Sequence, residues 1–93
     1  MAVKYNKSTL KKLEAILTAS HFTVRYERGQ FKSGYCLLRD KKIIIINRFY
    51  DTKGRIESLI DITQQVEILE AELEPTSKEL LKTIEKSYLE EVS

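Results

Sequence analysis

The sequence predicts an α+β fold in the order α-β-β-β-α-α, a three-stranded antiparallel sheet packed by helices. Three observations predict it. Leu10, Leu13, Ile16 and Leu17 recur at helical spacing, and after them Phe22, Val24 and Tyr26 alternate with polar residues. Residues 34–47, GYCLLRDKKIIIIN, read as a β-hairpin whose arms are apolar on both faces, where a small sheet normally shows one face to water. Residues 55–93 carry only helical periodicity, broken once at Pro75.

The first helix is expected over 8–19, with Asn6 or Ser8 accepting from its free N–H groups and His21 at its exit. Residues 22–27 form a strand with one buried face. Gly29 supplies a turn into a second strand over about 30–38, and Gly34 marks a bulge or a close backbone approach. A two-residue loop at Asp40-Lys41 sets Leu38 opposite Ile43, Cys36 opposite Ile45 and Gly34 opposite Asn47 on one face. Leu37 with Ile44 and Tyr35 with Ile46 then share the other face. A slip by one residue exchanges the faces without making either polar. Cover is needed on both sides.

Asp51 or Thr52 caps the next helix, expected over 55–73. Its first half carries Ile56, Leu59, Ile60 and Thr63, a stripe broad enough to lie on a sheet. Leu59, Ile62, Val66, Leu69 and Leu73 continue as a narrow seam suited to helix-on-helix packing. Pro75 stops the helix, and Thr76-Ser77-Lys78-Glu79 reads as a capping box for a last helix burying Leu80, Leu81, Ile84 and Tyr88. The short break predicts that the last two helices form an antiparallel pair.

Ninety-three residues, 32% charged and 42% apolar, make one folded domain over 1–93. The longest aliphatic block is residues 43–46, so neither a membrane span nor a secretory segment is expected. The single cysteine suits a reducing compartment, and the chain reads as cytoplasmic. Charge is divided. Residues 1–55 hold eight Lys and five Arg against four acids, a formal +9, whereas residues 56–93 hold three Lys against ten acids, a formal −7. A basic sheet and acidic helices sharing one globule explain this; a nucleic-acid face or self-association are the functional readings.

Catalytic chemistry is thinly supplied. His21 and Cys36 stand 15 positions apart with no carboxylates at ligand spacing, so no metal or cofactor is expected. His21 suits a helix end, and Cys36 suits a small core residue of a strand. The acids of 67–74 are spaced as the wet side of a helix. Arg48 and Arg55 beside the helix start at Asp51 make the most site-like spot, although capping by Asp51 already occupies its donors.

Two surfaces remain. Tyr35, Leu37, Ile44 and Ile46 on the hairpin, with Leu59, Ile62, Val66, Leu69 and Leu73 on the seam, are interaction candidates, and a homodimer is the expected assembly. Arg25, Arg28, Lys32, Arg39, Lys41, Lys42 and Arg48, interleaved with Tyr26, Phe31, Tyr35, Phe49 and Tyr50, suit single-stranded nucleic acid on a basic aromatic sheet. No ribonucleoprotein motif, GXXG loop or helix-turn-helix spacing accompanies them.

The run Arg25-Tyr26-Glu27-x-Gly29-x-Phe31-Lys32-x-Gly34-x-Cys36, with residues 43–47 and Gly54-Arg55-Ile56, resembles a family of short uncharacterised bacterial proteins. The likeness spans about residues 22–62 and implies a stable bacterial domain with no known activity. A fainter similarity is to the minimal zincin metallopeptidase scaffold, in which a helix and small sheet precede the catalytic helix. Asp61, Ile62 and Gln65 stand where HExxH would need His, Glu and His, so that likeness implies a relative without zinc hydrolysis. The reading is a non-catalytic interaction module that self-associates, with nucleic-acid binding as the alternative.

Overall fold

The computed structural model describes residues 3–28 and 34–92, with the backbone alone over 88–92. It is a small α+β fold of three helices and a three-stranded sheet. Helix α1 (Lys7–Ala19) leads into β1 (Thr23–Glu27), β2 (Tyr35–Leu38) and β3 (Ile43–Asn47). Helix α2 (Thr52–Thr63), a 3-10 turn at Glu70–Glu72 and helix α3 (Pro75–Val92) follow.

Asn6 caps α1, its side chain accepting from Thr9 N–H at 2.9 Å. The helix ends without glycine. His21 takes φ +70°, while the N–H groups of His21 and Phe22 donate to the carbonyls of Thr18 and Leu17. Leu10, Leu13, Ile16 and Leu17 are buried, as their spacing requires.

The sheet is mixed, and the antiparallel expectation is corrected there. Its order is β1-β3-β2, with β1 parallel to β3 and β2 antiparallel to it. The four isoleucines of β3 form the most apolar strand, and a central place covers both of its edges. Glu27 and Tyr35 both lie at the C-terminal end of β3, opposite Asn47 and Ile46. They stand two strand spacings apart, about 10 Å, with β3 between them. Gly29, Gln30, Phe31 and Lys32 fall outside the described residues, as does any strand before Tyr35.

The hairpin register is the expected one: Leu38 opposite Ile43, Leu37 opposite Ile44, Cys36 opposite Ile45 and Tyr35 opposite Ile46. Arg39 O accepts from Lys42 N–H at 3.2 Å, Lys42 has φ +56°, and Lys42 O accepts from Thr23 N–H at 2.8 Å. One turn thereby closes the hairpin and anchors the start of β1.

Helices α1 and α2 pack together, α1 against β1 and α2 against β3. Ile44 and Ile46 are fully buried with Leu13, Ile16, Leu17, Ile56, Leu59 and Ile62, and Val24, Tyr26, Tyr35 and Leu37 pack around them. Each fully buried Leu or Ile contributes about 1.5–3 kcal/mol. Helix α2 stops at Thr63, not at 73. Gln65 O accepts from the Arg39 guanidinium at 2.9 Å, and Leu69 N–H donates to the buried Ser20 hydroxyl at 2.9 Å. These bonds from distant residues hold 64–69 in an irregular path, so the 59–73 seam is not one helical stripe.

Helix α3 begins at Pro75, whose missing N–H suits a first helical position. Lys78 N–H donates to Glu74 O, placing Thr76 inside the helix, so the expected Thr76 capping box is not the start. Leu81 and Ile84 are buried and Leu80 partly so; Tyr88 lies outside the described side chains. Helix α3 packs chiefly against α1, so the expected antiparallel pair of the last two helices is corrected: α2 is not its main partner.

Candidate functional site

Alternation along the strands divides the sheet into two chemically different faces. The inner face carries Val24, Tyr26, Tyr35, Leu37, Ile44 and Ile46 and takes α1 and α2. The outer face carries Thr23, Arg25 and Glu27 of β1, Ile43, Ile45 and Asn47 of β3, and Cys36 and Leu38 of β2. Leu38 is 37% exposed, and Cys36, Ile43 and Ile45 are half-buried. Arg25 and Glu27, two positions apart on this face, form an ion pair at 2.5 Å.

The interaction candidates are thereby reassigned. Ile44, Ile46, Leu59 and Ile62 are fully buried within the chain, and Leu73 nearly so. Val66, Tyr35 and Leu37 pack against that core, and Leu69 is held half-buried by its bond to Ser20. Ile44, Ile46, Leu59, Ile62 and Leu73 are thereby corrected from surface to core, while Tyr35, Leu37, Val66 and Leu69 keep part of their surface exposed. The outer set Cys36, Leu38, Ile43 and Ile45 takes their place. The parity of Val24 and Tyr26 marks this face, but only once β1 is known to pair directly with β3.

The basic residues also separate. Arg39, Lys41 and Lys42 lie at the hairpin turn, at the N-terminal end of β3, with Lys42 Nζ 4.9 Å from the centre of the Phe22 ring. Arg25 lies on the outer face with Glu27. Arg28 and Arg48 lie at the opposite end, over Phe49, with guanidinium carbons 5.6 and 5.7 Å from the ring centre. Lys32 is outside the described residues. No single sheet surface gathers the seven.

The expected aromatic sheet is corrected with them, because Tyr26 and Tyr35 face inward. The Tyr26 hydroxyl donates to the Glu14 carboxylate, and burial with this bond pushes the phenol well above its usual range. The Arg55 guanidinium lies 4.5 Å from the centre of the same ring. The Tyr35 hydroxyl donates to Asp61 Oδ2 at 2.5 Å and accepts from Gln65 Nε2 at 2.6 Å. Desolvation, then the Asp61 bond, raises its phenol too. Asp61 and Gln65 are thus spent on Tyr35, while Ile62 points into the core.

The exposed aromatics gather at the junction of β3 and α2. Phe49 is 69% exposed, Tyr5 48% and Tyr50 36%; among the described residues these and Leu38 are the exposed large apolar side chains. Phe49 N–H donates to Asn47 Oδ1 at 3.0 Å. Arg55 donates to Tyr50 O at 3.0 Å and to Arg48 O at 2.9 Å, fixing the loop from its inner side. Tyr50 packs over Gly34 and Gly54, and Lys53 Nζ lies 5.5 Å from the centre of the Tyr5 ring. Asp51 Oδ1 accepts from Gly54 N–H at 2.8 Å. The anion site read from Arg48, Arg55 and the start of α2 is therefore filled by the chain's own groups.

Comparison with protein-family models, curated proteins and solved structures found no match. Function must be read from geometry. Among the described residues no three metal-capable side chains converge, and no helix is long and apolar enough to cross a membrane. Cys36 faces Ile45 across the ladder and is a free thiol. Phe49 and Tyr50 belong to the aromatic set legible in the sequence; Tyr5 and Lys53 enter only because folding brings the segment before α1 to the start of α2.

Proposed function

We propose that this chain is a small interaction module that self-associates, a second copy covering the outer face of its sheet. The observation that carries the reading is the apolar patch of Cys36, Leu38, Ile43 and Ile45, set on the side away from α1 and α2. A half-polar outer face would need no partner; two adjacent strands apolar on both faces ask for one. A second copy is the occupant the charges favour. Arg25 and Glu27 share this face, so a two-fold axis passing between their positions sets each cation beside the other copy's anion. The free thiol of Cys36 suits a reducing compartment, which agrees with a cytoplasmic module.

Light scattering on the purified chain at about 50 µM, well above the micromolar range that about −8 kcal/mol of binding confers, is expected to give the dimer mass. Leu38→Glu at the exposed end of the patch shifts it to monomer with an unchanged circular dichroism spectrum. Ile45→Glu does so more strongly, with some loss of stability. A monomer mass for the unmodified chain sinks the reading, as does a dimer indifferent to both variants.

A further inference from the structure

We propose that the junction of β3 and α2 binds single-stranded nucleic acid, with Phe49 as the platform for a base and Arg28 and Arg48 as the cations that meet phosphate. This site lies at the C-terminal end of β3 and does not depend on the self-association read from the outer face.

Three features separate it from ordinary surface charge. The first is Phe49, a large aromatic ring 69% exposed with two guanidinium groups over it. Cation–π attraction at an exposed ring is weak, about 0.5–1 kcal/mol, so the arrangement opens readily. An arriving base can take the place of a guanidinium on the ring while that guanidinium turns to the base's phosphate. The second is that these two cations stand outside the ion pairs found among the described residues. Neither Arg28 nor Arg48 joins one, and the neighbouring carboxylates are engaged elsewhere, Glu27 with Arg25 and Asp51 Oδ1 with Gly54 N–H.

The third is a rigid mounting. Arg55 ties the carbonyls on either side of Phe49, and Asn47 accepts from the Phe49 N–H. A platform already fixed in place loses little conformational freedom on binding. Tyr5, 48% exposed beside Lys53, supplies a second ring-and-cation pair at the start of α2. Repeated pairing of an aromatic face with a cation is the pattern that tracks a flexible strand. A duplex keeps its bases stacked inside and offers no free base face for the ring. An acidic peptide would use the arginines but has no call on an exposed phenyl face.

Fluorescence anisotropy with labelled 12-nucleotide oligodeoxyuridylate and oligouridylate at low salt tests this. Saturable binding that weakens as salt rises is expected, and a preference for either oligomer tells whether a 2′-hydroxyl is read. Phe49→Ala lowers affinity about 5- to 100-fold, the loss typical of one stacked base, and Phe49→Trp restores it. Arg28→Gln and Arg48→Gln each flatten the log–log salt dependence by about 0.7, one phosphate on a single strand. Phe49 lies on the surface, so circular dichroism of these variants should match the parent. The inference is overturned if neither oligomer binds, or if binding ignores Phe49→Ala. It is equally overturned if a duplex, or a polyglutamate competitor, binds as tightly as the single strands. Leu38→Glu, which tests the outer face, is expected to leave the Phe49 dependence intact.

Discussion

Tyr50 rests against two glycines, and the contact sets what each of them can become. Gly34 has φ +81°, a conformation that L residues adopt at a cost, and a Cβ there would fall on the Tyr50 ring. Its carbonyl also accepts from Asn47 N–H at 2.9 Å, so the backbone has no room to move away. Gly34→Ala is expected to lower unfolding free energy by about 2 kcal/mol or more, read as an earlier urea midpoint with unchanged slope. Gly54→Ala meets Tyr50 Cδ2 at 2.9 Å but needs no left-handed backbone, and alanine gains helix propensity in α2. Its melt should stay close to the parent's. In the sequence Gly34 reads as a close approach; the ring that approaches comes from 16 positions later and is not legible there.

At the scale of elements, Tyr26 of β1 is fastened to Glu14 of α1 and covered by Arg55 of α2. Because burial and the carboxylate hold its phenol above the ordinary 10.0, the folded chain keeps a proton that the unfolded chain releases. This contribution is fully present below about pH 10 and is lost as pH climbs further through the folded pKa. Urea melts between pH 8 and 11 should therefore show the midpoint falling in the upper part of that range. Tyr26→Phe should be less stable at pH 7 by about 1.5–3 kcal/mol, the worth of a hydrogen bond to a charged group, with a shallower alkaline fall; Tyr35 supplies the remainder.

The same scale shows what periodicity conveys. The spacing of Leu10 to Leu17 and the alternation of 22–27 each report local backbone geometry, and both elements are in place. Strand order is not local. Whether the chain after Glu27 turns back at once or spans two strand spacings depends on which neighbour β3 prefers. The end of α2 is similarly remote, since Arg39 and Ser20 hold 64–69 from 26 and 49 positions away. A 3-4-3-4 spacing cannot register a competing donor from another element. The candidate surfaces inherit these errors: once the register and strand order are fixed, odd and even positions of β3 exchange the roles of core and surface.

On the whole molecule, a basic first half and an acidic second half fold into one body with a radius of gyration of 12.6 Å. Helix α1 touches α2, α3 and β1, so it joins the halves mechanically. If copies meet at the outer sheet face, folding and association become one equilibrium and the melting temperature depends on concentration. A tenfold rise in protein is expected to lift it by about 2–4 °C for a two-chain unit of this size. A melting temperature constant from 5 to 100 µM would count against the second copy.

Each residue of β1 pairs with one twenty positions further along the chain, from Thr23 with Ile43 to Glu27 with Asn47. During synthesis β1 therefore leaves the ribosome with nowhere to dock, and β2 follows it in the same condition. The last-made strand is the keystone: a chain cut before Ile43 retains two of three strands and none of their ladder. Docking of β1 should be a late event that waits for the β2–β3 hairpin, and premature stops upstream of residue 43 would release two unpaired strands instead of a partial sheet.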